Sequence, residues 1–115
     1  MTVTIYGIRN CDTMKKARLW LDENGIAYRF HDYRADGIDA ATLQHWAERV
    51  GWEKLLNKAG TTFRKLPDEA KQRLDRDKAI ALMVEQPAMI KRPVLTHPGG
   101  ILVGFKPGDY GDALL

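Results

Sequence analysis

Three segments at the start of the chain differ in the spacing of their apolar residues. Residues 2–6 are β-branched and aromatic, which is typical of a short strand. Residues 13–24 have apolar residues at helical spacing and are followed by a glycine, which predicts a helix that ends there. Tyr28 and Phe30 lie two positions apart within residues 27–33 and predict a second strand. Two strands joined through such a helix are normally parallel, with a right-handed crossover.

Helical patterns dominate the middle of the chain. Asp39 is placed as the N-cap of a helix that has an apolar stripe along one side. Shorter helical pieces follow at residues 52–60 and 67–74, and Asp75 is placed to cap a last one. We therefore expect a helical insertion over approximately residues 39–86.

The last third of the chain has the pattern of a hairpin. Residues 93–97 and 101–105 are apolar or β-branched, and a Pro-Gly-Gly sequence separates them. A short helix is predicted after them, from Pro107 onward. The order strand, helix, strand, helical insertion, strand, strand, helix matches an α/β architecture of the thioredoxin-like kind. We expect residues 1–115 to form one such domain, with a mixed four-stranded sheet flanked by helices.

Composition narrows the classes of function. The chain has 115 residues, one cysteine and a formal net charge of +3. A lone cysteine cannot form a disulfide within the chain, and the histidines are too dispersed to suggest a metal site. The sequence lacks an apolar stretch of membrane-spanning length and the pattern of a signal peptide. We therefore expect a cytoplasmic monomer that has no tightly bound cofactor or metal and does not contact nucleic acid or membrane.

Cys11 lies between the first predicted strand and the first predicted helix. The first N–H groups of a helix are unpaired and carry partial positive charge, which favours a thiolate over a thiol. Arg9, Lys15 and Lys16 add positive charge nearby in sequence. The polar neighbours of Cys11 argue against the alternative, a cysteine buried as a small apolar residue. Because ligand sites of open α/β sheets lie at the carboxyl ends of parallel strands, we interpret Cys11 as a reactive thiol.

Three segments of the sequence carry a resemblance to a known family. They are IYGIRNCDTMKKARLWL at residues 5–21, TTFRKL at residues 61–66 and IKRPVL at residues 90–95. In these segments, and in the spacing between them, the chain resembles the arsenate reductase (ArsC) and Spx-like branch of the thioredoxin superfamily. Within that branch it is most similar to the small bacterial YffB-type proteins, which are regarded as glutathione-dependent thiol reductases.

The resemblance implies which residues act in catalysis. Cys11 would be the nucleophile, Arg92 would face the site, and Pro93 would be a cis-proline beside the thiol. Having no second thiol, Cys11 would attack a disulfide or a glutathionylated substrate and form a mixed disulfide. An external thiol must then release the enzyme, and glutathione is the candidate for that co-substrate.

Glutathione would also need partners for its charges. Its carboxylates bind to cations or to backbone N–H groups. Arg92, Lys106, Arg64 and the helix start at Thr13 are the candidates to provide them. The resemblance further implies that the backbone before Pro93 pairs with an extended peptide such as glutathione.

The sequence departs from the arsenate reductases of this branch at three positions. Gly7 stands where those enzymes carry a histidine, and Asn57 and Lys106 stand where they carry arginines. An amide and an ammonium group bind a small, highly charged oxyanion more weakly than guanidinium groups do. We therefore expect arsenate to be a poor substrate, and an arsenate reductase would need a relaxed anion site.

The Spx-like relatives suggest another alternative. They often carry a CxxC switch, whereas Met14 stands here at the position of the second cysteine. A dithiol therefore cannot form within the chain. In this alternative the protein would be a regulator that binds RNA polymerase or another protein through the exposed surface of its helical insertion.

Overall fold

The computed structural model describes residues 2–115. The strands are β1 (Thr4–Gly7), β2 (Arg29–Asp32), β3 (Val94–His97) and β4 (Gly100–Val103). The helices are α1 (Asp12–Glu23), α2 (Tyr33–Asp36), α3 (Ala40–Val50), α4 (Trp52–Leu55), α5 (Thr61–Arg64), α6 (Asp68–Lys71), α7 (Arg76–Glu85) and α8 (Pro107–Leu114), and a 3-10 helix covers Pro87–Met89. The chain divides into two compact units. Residues up to 36 and from 92 onward form a sheet unit, and Gly37–Lys91 forms a helical unit.

The sheet has the strand order β2-β1-β3-β4. β1 pairs with β2 in parallel, whereas β3 pairs antiparallel with both β1 and β4. The mixed four-stranded sheet and the α/β class that the sequence predicts are thus confirmed. The predicted hairpin is also confirmed, and its turn consists of Pro98 and Gly99.

One face of the sheet carries the core of the sheet unit. Ile5 and Leu95 are cross-strand partners in β1 and β3, so their side chains lie on the same face. Met14 and Leu21 of α1 and Tyr110 of α8 join them in one buried cluster. The two helices therefore cover this face. Burying a leucine or isoleucine side chain of this kind contributes about 1.5–3 kcal/mol.

The register of the strands defines the edge of the sheet at which the candidate site lies. Gly7 at the end of β1 pairs with Asp32 at the end of β2. Val94 at the start of β3 lies beside Tyr6 and also pairs with Val103 at the end of β4. The ends of β1, β2 and β4 and the start of β3 therefore meet at one edge, which we call the carboxyl edge.

The helical unit has a core of its own. α3 packs against α7, and α4 packs against both. Its buried side chains come from these helices and from the segments that follow them, and they include Leu43, Trp46, Leu55, Phe63, Ile80, Met83, Met89 and Ile90. None of the helices among the described residues is long and apolar enough to cross a membrane. The predicted insertion, residues 39–86, falls within this unit.

Two helical predictions in this unit are wrong in extent. The pattern at residues 52–60 predicts a helix, but α4 ends at Leu55 because Leu56 is extended and forms a bridge with Ile90. The pattern at residues 67–74 also predicts a helix, but α6 is a single turn and Arg73 has a φ of 52°. Long-range pairing in the first case and a left-handed residue in the second override the local helical preference.

Candidate active site

Cys11 is the N-cap residue of α1. Its backbone is extended, with φ −124° and ψ 128°, and its carbonyl oxygen accepts a hydrogen bond from the Lys15 N–H at 2.9 Å. The side chain makes no capping hydrogen bond. It is free, partly exposed and packed against the edge of the core cluster. The sulfur thus lies at the positive end of a three-turn helix without being sealed in the core.

Arg92 and Pro93 lie directly before β3, at the carboxyl edge. The Arg92–Pro93 peptide bond is cis, as the resemblance implies. The Pro93 carbonyl oxygen accepts a hydrogen bond from the Gly104 N–H at 2.7 Å, which joins the start of β3 to the end of β4. The β1–α1 connection that carries Cys11 leaves the same edge. The topology therefore brings the thiol and the Arg92–Pro93 pair to one end of the sheet.

Gly7 and Met14 shape the space next to the Cys11 segment. Met14 is fully buried, and a Cβ atom added at Gly7 would collide with its sulfur and lie 2.8 Å from its Cε atom. A side chain at position 7 therefore requires the buried Met14 side chain to move. The two positions at which the sequence analysis noted an absent histidine and an absent second cysteine thus lie next to each other.

An aromatic cluster that the sequence analysis does not single out lies at the same edge. The Tyr6 and His31 rings have centroids 4.9 Å apart, and Tyr33 packs against both rings. Burial raises the pKa of Tyr33 well above its ordinary value, and Tyr6 raises it further, whereas the positive charge of Arg92 lowers it. The sequence offers one signal for this cluster. Tyr6 and Tyr33 lie near the carboxyl ends of two strands that the sequence predicts to be parallel, and such ends meet at one edge of a sheet.

Two other predicted site residues lie in the sheet unit. Thr13 is exposed in the first turn of α1. Lys106 is exposed at the N-cap of α8, and its carbonyl oxygen accepts a hydrogen bond from the Tyr110 N–H at 3.1 Å. Lys106 follows the end of β4 by three residues, so it too belongs to the carboxyl edge.

Arg64 and Asn57 lie in the helical unit. Arg64 is exposed at the end of α5, and its carbonyl oxygen accepts a hydrogen bond from the Lys71 Nζ at 2.8 Å. The Asn57 N–H donates to the Met89 carbonyl oxygen at 2.7 Å. The role predicted for Arg64 stays a prediction. Within residues 2–115, no group of three or more His, Cys, Asp or Glu side chains is arranged to hold a metal ion.

Comparison with known proteins agrees with this geometry. The sequence profile of the ArsC family matches residues 6–113, which is nearly the whole chain. The chain belongs to the ArsC family. The solved structure of a YffB protein covers 99% of this ArsC-family chain and 100% of its own chain, with 59% sequence identity and a TM-score of 0.97.

Two further relatives show the range of this family. A solved arsenate reductase (ArsC) related protein from Brucella melitensis is 57% identical, covers 97% of this chain and 93% of its own, and has a TM-score of 0.78. The global transcriptional regulator Spx 2 of Oceanobacillus iheyensis is 28% identical over 111 residues, which are 95% of this chain and 81% of the regulator. The resemblance to the arsenate reductase and Spx-like branch is thus confirmed.

Proposed function

We propose that this ArsC-family protein is a glutathione-dependent thiol reductase of the cytoplasm in which Cys11 is the nucleophile. The observation that carries the proposal is the position of Cys11, a free and partly exposed thiol at the N-terminus of α1 on the carboxyl edge. Membership of the ArsC family supports thiol-dependent oxidoreductase chemistry. The single cysteine requires an external thiol to resolve the mixed disulfide, and glutathione is our candidate for that thiol.

The chemistry needs two exchanges of a thiolate with a disulfide. In the first, the Cys11 thiolate attacks the glutathione sulfur of a glutathionylated substrate, and the substrate leaves as a thiolate. In the second, a glutathione thiolate attacks the glutathione sulfur of the mixed disulfide, which restores the Cys11 thiolate and releases glutathione disulfide. Overall, one glutathione thiol is consumed, the substrate leaves as a thiol, and the disulfide bond passes into glutathione disulfide. Because the chain has one cysteine, a resolving cysteine of its own cannot replace the second glutathione.

The carboxyl edge carries groups that could bind the carboxylates of glutathione. Arg92 can hold a carboxylate by two parallel hydrogen bonds, and Lys106 adds a second positive charge on the same edge. The unpaired N–H groups at the start of α1, next to Thr13, favour negative charge on the reacting sulfur atoms. These residues support glutathione as the co-substrate, whereas the amide of Asn57 and the ammonium group of Lys106, in place of guanidinium groups, disfavour arsenate.

The proposal is tested by the oxidised product. Reduced protein is treated with glutathione disulfide in the absence of a reductant, and its intact mass is measured. We expect an adduct of one glutathione per chain on Cys11, which added glutathione then removes. The Cys11→Ser protein should fold normally and form no adduct, and it should have no thiol transfer activity.

Other products would contradict the mechanism. A disulfide-linked dimer as the main oxidised species, or the absence of any adduct, would exclude a monothiol mechanism that depends on glutathione. Thiol transfer by Cys11→Ser would place the chemistry elsewhere. Rapid reduction of arsenate with glutathione would favour the arsenate reductase alternative over a general thiol reductase.

A regulatory function is the second candidate, and two observations favour it. The Spx 2 relative is a transcriptional regulator. The helical unit has an open groove of about 610 Å³ along α3 and α7, with apolar Ile80 and Val84 between the acidic Asp77 and Glu85. In this case the wild-type chain would bind purified RNA polymerase in a surface plasmon resonance assay. Val84→Arg would weaken that binding and Cys11→Ser would not.

A further inference from the structure

Tyr33 and Tyr110 are both almost fully buried, but they differ in the pairing of their hydroxyl groups. They expose 2% and 1% of their surface, respectively. The Tyr110 hydroxyl donates a hydrogen bond to the Gly104 carbonyl oxygen at 2.9 Å. The Tyr33 hydroxyl is buried without a hydrogen-bond partner in the part of the chain that the structure describes. An unpaired buried hydroxyl costs about 1–3 kcal/mol, so stability does not explain it.

The position of Tyr33 links it to the candidate active site. Tyr33 directly follows Asp32, which pairs with Gly7 at the carboxyl edge. The centroid of its ring lies 6.4 Å from that of Tyr6 and 6.1 Å from that of His31. These aromatic contacts hold the ring, and with it the hydroxyl group, in one place.

Arg92 lies at the same edge, directly before β3, and its positive charge acts on the Tyr33 hydroxyl group. Burial and the neighbouring Tyr6 raise the pKa of Tyr33, and Arg92 only partly opposes them. The phenol therefore stays neutral near pH 7, and its oxygen can both donate and accept a hydrogen bond. A neutral hydroxyl oxygen can accept a hydrogen bond from one of the five N–H groups of an arginine.

We propose that Tyr33 is a positioning residue for Arg92 in the Cys11 site. When Arg92 binds a carboxylate of the glutathionyl group through two N–H groups, a third N–H donates to the Tyr33 hydroxyl oxygen and fixes the plane of the guanidinium. The inference rests on the proposed function, since it requires Arg92 to hold that carboxylate. The hydroxyl gains a partner only in the complex, so the cost of burying it in the free protein favours binding.

The test compares two disulfides that differ in charge. Glutathione disulfide carries carboxylates, and bis(2-hydroxyethyl) disulfide is uncharged. The rate at which each forms a mixed disulfide with Cys11 is measured, and the first rate is divided by the second. In Tyr33→Phe this ratio should fall about tenfold, the effect of losing one hydrogen bond to a charged group. The free energy of unfolding in urea should stay equal or rise, because the substitution removes an unpaired buried oxygen.

A double variant tests whether Tyr33 acts through Arg92. Arg92→Ala should lower the same rate ratio, and adding Tyr33→Phe to it should lower the ratio no further. A residue with a purely structural role would not produce this loss of additivity.

Tyr110→Phe is the matched control. It removes a hydroxyl that has a partner, so it should reduce the free energy of unfolding and leave the rate ratio unchanged. An unchanged ratio in Tyr33→Phe, a loss of stability in that variant, or independent effects in the double variant would overturn the inference and leave the proposed function intact. A wild-type protein that forms no adduct with glutathione disulfide would overturn both.

Discussion

The starts of the two longest helices of the helical unit, α3 and α7, differ from the carboxyl edge of the sheet unit in how their polar groups are paired. In the helical unit, the Asp39 carboxylate accepts a hydrogen bond from the Thr42 N–H at 2.8 Å, and the Asp75 carboxylate accepts one from the Lys78 N–H at 2.8 Å. Both helix starts are thus satisfied by a residue of the same segment.

At the carboxyl edge, two comparable polar side chains lack such a hydrogen bond within the described residues. The N-cap residue of α1 is Cys11, whose side chain makes no capping hydrogen bond. The Tyr33 hydroxyl has no hydrogen-bond partner within residues 2–115. Serine, threonine or aspartate at the N-cap would stabilise α1 better than cysteine does. From this difference and the proposed function, we expect substitutions of Arg92 and Tyr33 to change activity more than stability.

Arg92 provides the largest of the effects expected from this comparison. Arg92→Ala should weaken the step that uses an anionic disulfide by about 1.5–3 kcal/mol, because it removes a charge-assisted pair with a carboxylate. Kinetics of adduct formation with glutathione disulfide give this value, and urea unfolding should show nearly unchanged stability. Arg92→Lys should recover only part of the rate, since an ammonium group lacks the bidentate geometry.

Arg29→Ala is the control for charge alone. Arg29 is an exposed arginine of β2 that pairs with Thr4, at the opposite end of the strands from the carboxyl edge. Its removal should leave adduct formation nearly unchanged. If Arg92→Ala instead caused a large loss of stability, Arg92 would be a structural residue, and the contrast between the two regions would fail.

The parts of the fold that depend on neighbours in sequence were predictable. The caps at Asp39 and Asp75 are confirmed, because a capping hydrogen bond joins residues three apart. The hairpin turn follows from Pro98 and Gly99 themselves. The position of Cys11 at a strand-to-helix junction is also confirmed, because the two patterns on either side of it are regular.

The parts that depend on distant segments were not predictable. The helix expected over residues 52–60 ends early because Leu56 pairs with Ile90, 34 positions later. The surroundings of Tyr33 include the ring of Tyr6 and the positive charge of Arg92, which come from two other segments of the chain. The periodicity of one segment carries no information about such contacts. The position of Cys11 at the carboxyl edge was therefore predictable, whereas the aromatic cluster at the same edge was not.

Gly7 gives the next largest effect, and it concerns packing at the carboxyl edge. Gly7→Ala should reduce the free energy of unfolding by about 1–3 kcal/mol, because its Cβ atom would collide with the buried Met14 side chain. Urea unfolding measures this loss. The double variant Gly7→Ala/Met14→Ala should lose less stability than the sum of the two single variants, because the shorter side chain removes the collision. Additive losses would show that Met14 does not close this space.

Substitution of Asp75 should have the smallest effect on stability, and it tests the capped helix starts of the helical unit. Asp75→Ala removes the N-cap of α7, which should cost about 1 kcal/mol in the free energy of unfolding measured in urea. Asp75→Asn should retain most of the stability, because the amide oxygen can still accept from the Lys78 N–H. Adduct formation at Cys11 should be the same in both variants as in the wild type. Slower adduct formation in Asp75→Ala, with normal kinetics in Asp75→Asn, would show that the capped start of α7 affects the reactivity of Cys11. A residue that we assign to stability alone would then also affect activity, and the contrast between the two regions would fail.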